Sequence, residues 1–381
     1  MSKWEWKKLG DVCKFTRGLT YSKKDEVDFS SNCVLRSTNI DLCKNALVLD
    51  ELKYINDGID IPNEKRVKKG SLLICVSNGS KAHLGKVAYI DKDYGYAFGG
   101  FMGLLSPQES IDGLYMHYAL CTPSYKDYIK SLSDGANINN LKFDDLKNFS
   151  IPVPPLSEQK RIVKTLDEKF AKIDKLKTAA ETNLKNAKEI FNAELKKVLS
   201  NPIWDRMKFS DLLKLKSGDY LNSKDIIDGK YPVYGGNGII AYHNDYNING
   251  DNVIIGRVGA LCGNVRLVTE PIWLTDNAFK ITFLKDCFDF SFITYLLNFL
   301  NLRSYARQAA QPVISNSSLK DILLPLPPLS EQKRIVAHLD KLSEKVKRLE
   351  ENYTRTIADC EELKKSILKK TFEGDSRSSR E

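Results

Sequence analysis

The sequence is poor in the residues from which metal, disulfide and catalytic centres are built. Its eight cysteines lie at positions 13, 33, 43, 75, 121, 262, 287 and 360, and no two form a Cys-x-x-Cys pair. That scatter excludes a zinc site of ordinary spacing and a disulfide framework, and fits reduced thiols in a cytosolic protein. The four histidines, His83, His117, His243 and His338, are as dispersed. No segment resembles a signal peptide, and no uncharged apolar run approaches the length of a membrane span. A soluble, cytoplasmic protein is expected. Charge of one sign is not abundant either: 58 Lys and Arg against 49 Asp and Glu leave a net charge of +9, which fits a nucleic-acid partner without requiring one.

Nucleotide and methyl-donor motifs are also missing. Gly79-Ser80-Lys81-Ala82-His83-Leu84-Gly85-Lys86 approximates a phosphate-binding loop, but it is one residue too long, and Val87 replaces the required Ser or Thr. It reads better as a turn before a strand. Phe98-Gly99-Gly100-Phe101 is faintly similar to the glycine-rich loop of methyl-donor enzymes, yet no Asn-Pro-Pro-Tyr-type motif accompanies it. Asp167-Glu168 stands on a charged helix, where a solvated face explains it. Nothing supports a nuclease or methyltransferase centre.

What the chain does have is a repeat. Pro154-Pro155-Leu156-Ser157-Glu158-Gln159-Lys160-Arg161-Ile162-Val163 recurs letter for letter from Pro327 to Val336, 173 positions later (327 − 154). Ten identical residues in a row mark an internal duplication. The prolines end an extended run, Ser157 and Ser330 are candidate N-caps, and Glu158 and Glu331 suit the positive end of a helix. A long charged helix with one apolar stripe should follow each copy. The first stripe is Leu166, Phe170, Ile173, Leu176, Ala180, Leu184, Ala187, Phe191, Leu195 and Val198. The second is Leu339, Leu342, Val346, Leu349, Tyr353, Ile357, Cys360, Leu363 and Ile367. Steps of three and four with no proline predict coiled-coil helices of roughly 45 residues, about 65 Å long at 1.5 Å per residue.

The duplication extends into the flanking units. Trp4 and Leu9-Gly10-Asp11-Val12 are echoed by Trp204 and Phe209-Ser210-Asp211-Leu212, leading to Gly18 and Gly218. The offset there is 200, so the second globular unit is 27 residues shorter (200 − 173). In the first unit, Cys33–Leu35, Leu72–Val76 and Lys86–Ile90 read as strands, and Asp112 to Leu132 as a helix. In the second, Val253–Ile255 and Ile281–Leu284 read as strands, before a helix near Phe290 to Tyr305. The fold class is α+β: two pseudo-repeated mixed α/β units separated by two long helices, which should pair as an antiparallel coiled coil.

Binding chemistry is better represented than catalysis. In the second unit Tyr234, Gly235 and Asn237 lead to Arg257, and Arg303, Arg307, Gln308 and Gln311 cluster after a helix. Glycine lets backbone approach a ligand, and Asn and Arg read base edges bidentately. In the first unit Arg36, Asn39, Ser77, Asn78, Ser80, Lys81 and Lys86 have similar character. These are candidate DNA contacts, although Asn-Gly and Gly-Gly are also ordinary turn residues. The identity of the two junctions points to two equal docking points for a partner at Pro155, Leu156, Glu158, Gln159 and Arg161, and at Pro328, Leu329, Glu331, Gln332 and Arg334.

With these residues in view, the chain resembles the specificity subunits of type I DNA restriction-modification systems. That family's junctions have the form Pro-Leu-Pro-Pro-Leu-x-Glu-Gln-x-x-Ile, here beginning at Pro152 and Pro325. Tyr231–Gly238, Gly256-Arg257-Val258-Gly259 and Gln311-Pro312-Val313-Ile314-Ser315 are similar to runs in its recognition domains. The first domain departs from the last of these, reading Gly135-Ala136-Asn137-Ile138-Asn139. The resemblance implies target-recognition domains over 1–154 and 201–327, spacer helices over 155–200 and 328–373, and a flexible tail over 374–381. It also implies a non-catalytic chain, holding no cofactor or metal, that reads a bipartite, asymmetric double-stranded DNA target. Two methyltransferase (M) subunits using S-adenosylmethionine, and motor/nuclease (R) subunits using ATP and Mg, would be its partners. A stiff helical spacer would make binding of the second half-site intramolecular. Two alternatives stay open: a two-headed DNA-binding regulator or architectural protein without enzyme partners, and a coiled-coil interaction protein that touches no DNA. Neither gives a reason to duplicate the Glu-Gln junction.

Overall fold

The computed structural model describes residues 4–42, 44–133, 140–307 and 312–374. The chain divides into two compact units, one of residues 1–180 with 355–381 and one of residues 181–354.

In the first unit a four-stranded antiparallel sheet runs in the order Cys13–Arg17, Met102–Pro107, Leu72–Cys75, Val87–Tyr89. The strand Leu72–Cys75 is buried at every position, as a central strand covered on both faces should be. A second sheet, Glu26–Val27, Lys53–Ile55, Asn32–Leu35, Ala97–Phe98, ends in a parallel pair. The strand Glu5–Lys8 pairs antiparallel with Ser150–Val153, so the two ends of the globular part meet. The main core joins the first sheet to Tyr115, Met116, Leu146, Ile162, Leu166, Leu368 and Phe372.

The second unit repeats this plan with less material. Its antiparallel sheet is Leu213–Ser217, Ala278–Phe283, Asn252–Gly256, Val265–Val268. Its second sheet is Gly238–His243, Tyr231–Gly235, Trp273–Leu274, the last pair again parallel. Arg206–Lys208 pairs with Leu323–Pro325. Each of the five runs read as strands from sequence contains a strand or lies on one, with Val76, Lys86, Ile90 and Leu284 just beyond the strand ends.

Two helix expectations are corrected. The segment 112–132 is two helices, Gly113–Ala119 and Pro123–Ser133. Pro123 cannot donate the N–H that a continuous helix needs, and Thr122 instead starts the second one, its Oγ1 accepting from the N–H of Tyr125 at 3.4 Å. The helix from Phe290 ends at Phe299, and a 3-10 turn follows at Leu302–Tyr305, because Asn301 takes a left-handed φ of 48°.

The long helices span Leu156–Leu199 and Leu329–Glu373, 44 and 45 residues. Within the first unit they pack antiparallel: Lys177 pairs with Glu361 (2.6 Å), and Lys364, three residues on from Glu361, pairs with Asp174, three residues back. Within the second unit His338 meets Glu194 at 3.0 Å. Leu166, Ile173, Ala180 and Ala187 are buried at steps of seven, as are Leu339 and Val346, with Cys360 two steps on; this is the heptad period of a coiled-coil seam, which at Leu166 and Leu339 merges into the cores of the two units. The seam is narrower than the stripe read from sequence. Leu176, Leu349 and Leu363 are 55%, 39% and 50% exposed.

Neither Ser157 nor Ser330 is an N-cap. Each helix begins one residue earlier, at Leu156 and Leu329, where the Pro155 and Pro328 carbonyls accept the first helical N–H groups, Pro155 from Glu158 (2.9 Å) and Gln159 (3.0 Å). The following glutamine fixes that start, as described below.

Candidate DNA interface and partner junctions

The two junctions are built by one device. Gln159 is fully buried; its Oε1 accepts the backbone N–H of Asp112 at 2.8 Å, and its Nε2 donates to the carbonyls of Ser110 (3.0 Å) and Pro154 (2.8 Å). In the second unit Gln332, equally buried, accepts from Asp289 N–H and donates to Cys287 and Pro327, all at 2.8 Å. Each aspartate in turn caps the next helix: Asp112 accepts from Tyr115 N–H (2.9 Å), and Asp289 from Ser291 and Phe292 (3.0 Å each). Tyr118 donates to Asp167, and Tyr295 to Asp340 at 2.7 Å. Burial, then the aspartate beside it, pushes each of these two phenols up from its ordinary value.

Gln159 and Gln332 are therefore not partner contacts; their amides are spent on holding the helix start to the domain. Glu158 and Arg161 do face outward, joined by two hydrogen bonds of 2.6 and 2.7 Å, and Glu331 and Arg334 repeat the pair at 2.7 and 2.8 Å. The arginine hydrogen bond holds each glutamate below the usual carboxylate range. In the first unit this pair borders a groove of about 750 Å³ that Trp4, Trp6, Pro155, Lys169 and Phe372 also line, with Trp6 57% exposed. Leu156 and Leu329 are partly exposed. The exposed apolar residues of the long helices obey the duplication too: Leu176 matches Leu349, and Ile190 matches Leu363, each 173 positions apart.

The proposed DNA contacts of the first unit separate into two groups. Arg36 lines a cleft of about 460 Å³ with Tyr21, Ser37, Gly99, Gly100 and Phe101, and its buried Nε has no hydrogen-bond partner among the described residues. Asn78 donates to Ser37 Oγ at 2.9 Å and accepts from Ser80 N–H at 2.9 Å, so its amide shapes the loop that carries Ser77, Ser80 and Lys81 beside the cleft residues. Asn39 and Lys86 are corrections. Asn39 is buried and saturated, accepting from Arg36 N–H (2.8 Å) and donating to the carbonyls of Val48 and Glu51 (3.0 Å each). Lys86 is 7% exposed, donates to the Ile40 carbonyl at 2.8 Å, and has its pKa lowered by burial. Neither can reach a base.

In the second unit the glycine motif proves to be packing. A Cβ on Gly236 would sit 2.3 Å from the Val258 carbonyl oxygen, and one on Gly256 would sit 2.3 Å from that of Gly236. Gly235 is buried and paired with Gly238 across the hairpin, so it offers no surface to a ligand. Tyr234 is half-buried against Ile254, Ile272 and Leu274. Asn237, exposed, accepts from Leu261 N–H at 3.1 Å. Arg257 lies 5.4 Å over the Phe279 ring, donates to the Asp276 carbonyl at 3.2 Å, and keeps a buried Nε without a partner among the described residues. Arg303 is exposed and donates to the Ala260 carbonyl; the exposed Arg307 bonds through its backbone to Val313. Gln308, Gln311, the run 135–139 and the tail beyond Gly374 lie outside the described residues.

One backbone frame presents these side chains in both units. Gly18 N–H bonds to Met102, Gly99 to Leu35, Val76 to Phe101 and Leu141 to Val76, at 2.7 to 3.1 Å. The counterparts are Gly218 to Ala278, Thr275 to Tyr234, Arg257 to Asn277 and Ile314 to Arg257, at 3.0 to 3.2 Å. Gly18 and Gly218 are required at the crossing: a Cβ there would lie 2.0 Å from Gly99 O and 2.2 Å from Leu274 O. The two globular units therefore share one scaffold. A family profile described as the type I restriction modification DNA specificity domain matches residues 1–186 and 203–357.

The chain belongs to the type I restriction-modification DNA specificity family.

Among its relatives is the StySPI specificity subunit of Salmonella potsdam, 25% identical, with 98% of this chain and 89% of that one covered. The EcoKI specificity subunit of Escherichia coli K12 is 26% identical over the same shares. The fold is that of the HsdS subunit from Thermoanaerobacter tengcongensis (TM-score 0.62, 20% identity, 98% of each chain). A chain from a structural study of type I complex assembly and conformational transition superposes at a TM-score of 0.79, with 19% identity and 97% of each chain covered. As a type I specificity subunit, the chain is a DNA-recognition component and not an enzyme. It works with DNA and with other subunits of the system. No helix among the described residues is long and apolar enough to cross a membrane, and no group of three or more His, Cys, Asp or Glu is placed there to hold a metal ion.

Proposed function

We propose that the chain reads a bipartite, asymmetric double-stranded DNA site in the cytoplasm, one half per recognition domain, and assembles around it two M subunits and the R subunits. Domains over 1–154 and 201–327 are the readers, and the segments 155–200 and 328–373 carry the partners. The observation that carries this reading is the shared frame with unlike side chains. Where one unit has the half-buried Arg36 and Ser37 and the exposed Phe101, the other has the buried Gly235 and Gly236 and the exposed Asn277 at the matching backbone positions, and the half-buried Arg257 stands where the first unit has the buried Val76. Equal scaffolds with unequal surfaces suit a target whose halves differ. Partner recruitment is supported by what the duplication leaves exposed, namely the Glu–Arg pairs and the leucine and isoleucine positions of the helices. S-adenosylmethionine, ATP and Mg belong to the partners in this reading, and this chain holds no cofactor of its own.

Methylome sequencing tests it. Exchanging residues 201–326 for the matching segment of a relative should change one half of the methylated motif and leave the other alone. A swap that alters both halves, or a motif that is one continuous block, would overturn the proposal.

A further inference from the structure

Phe101 is 72% exposed, although it directly precedes the buried first half of the strand Met102–Pro107. Its backbone cannot yield: its carbonyl accepts the N–H groups of both Val76 (3.0 Å) and Ser77 (3.1 Å), and the next residue, Met102, is wholly buried. Gly99 and Gly100 precede it, so the ring stands clear of bulky sequence neighbours beside the cleft that Arg36 lines. A large apolar ring fixed in water contributes nothing to the core. At the matching place in the second unit the carbonyl of Asn277 accepts the N–H of Arg257 at 3.0 Å, the following Ala278 is buried, and Asn277 itself is exposed. A Cβ on Gly236 would come within 3.0 Å of the Asn277 carbonyl oxygen, so this position adjoins the Gly236-Asn237 turn.

Resting on the reading above, we propose that positions 101 and 277 determine specificity, one in each half of the target. Phe101 contacts a thymine methyl group by its apolar ring, and Asn277 pairs with the N6 and N7 edge of an adenine. The chemistry follows from the side chains: a phenyl ring has no hydrogen bond to offer and fits the one apolar feature of the major groove, while an amide offers a donor and an acceptor side by side. A rigid backbone under an exposed side chain is also what readout needs, since little ordering remains to be done on binding.

The test is selection from a random duplex library with the full chain, purified together with its bound partners from the cells that make it. The wild-type chain should enrich two blocks. Phe101→Asn should alter preference at one base pair of one block, and Phe101→Leu should keep it. Asn277→Ala should relax one adenine in the other block by about tenfold or more. Melting temperatures should match wild type, since both side chains are exposed; a large fall would show that the positions serve the fold and would overturn the proposal. Folded, binding variants with both blocks unchanged would overturn the role of these positions alone. No enriched motif from the wild-type chain would overturn the DNA reading itself and this proposal with it.

Discussion

Gln332 has no exposed surface, and its side-chain oxygen accepts the backbone N–H of Asp289 at 2.8 Å. Through that bond a residue in the first turn of a long helix fixes the start of a domain helix whose N-cap, Asp289, lies 43 residues earlier in the chain. Removing it should be costly. Gln332→Ala leaves the Asp289 N–H and the carbonyls of Cys287 and Pro327 without partners, and should destabilise by about 2–4 kcal/mol. Gln159→Ala should behave alike. Equilibrium urea unfolding measures both, and a loss under about 1 kcal/mol would show that water replaces the glutamine.

The exposed neighbours should behave in the opposite way. Glu158→Ala with Arg161→Ala removes a surface ion pair, worth about 1 kcal/mol or less. The same holds for Glu331 with Arg334. Each double variant should nevertheless assemble with one M subunit fewer by native mass spectrometry, and Leu176→Asp or Leu349→Asp should weaken the same contacts. Complexes with the full complement of partners in every variant would leave the junctions with a purely architectural role.

His117 supplies a pH dependence. Its Nε2 lies 2.8 Å from the Asn45 carbonyl, its Nδ1 is buried without a partner among the described residues, and burial holds its pKa below 6.5. The unfolded chain therefore binds a proton below about pH 6.5 that the folded chain refuses. Stability from this site is complete above that value and falls as the pH drops through it, by up to about 1.4 kcal/mol per pH unit. His117→Gln should flatten the fall in melting temperature between pH 7 and 5. Parallel curves for the two proteins would place the titration elsewhere.

Gly18 and Gly218 test the frame. With carbonyl oxygens 2.0 and 2.2 Å from where a Cβ would stand, alanine forces two strands apart in each case. Gly218→Ala should destabilise by several kcal/mol, on the order of other overpacked sites or above. Thermal unfolding reads this directly, and an unchanged midpoint would mean the crossing can open without cost.

Much of this architecture was legible because its signals are local. Proline, then charge with apolar steps of three and four, placed both long helices within about two residues of their observed ends, in keeping with the uncertainty of any helix boundary. Other features depend on partners distant in sequence. Repetition marked Gln159 as important but could not separate a buried anchor from an exposed contact, since the deciding bonds reach Ser110 and Asp112. The same holds for Asn39 and Lys86, whose polar ends turn inward to carbonyls on other segments. The glycines of the Tyr231–Gly238 run looked like a ligand approach and are a backbone-to-backbone crossing. Phe101 entered the sequence reading only as the end of the Phe98-Gly99-Gly100-Phe101 run and not as a contact; the signal for that role is an aromatic residue directly after two glycines.

The common frame has an evolutionary consequence. Positions 36, 101, 257 and 277 hang from backbone hydrogen bonds that any residue other than proline can make, and the two exposed ones add nothing to the core. Selection for a fresh target can therefore act on such positions one at a time without passing through unfolded intermediates. Two copies of one scaffold can then drift independently, and on the reading proposed above a lineage would acquire a new combination of half-sites while its partners met the same junctions as before.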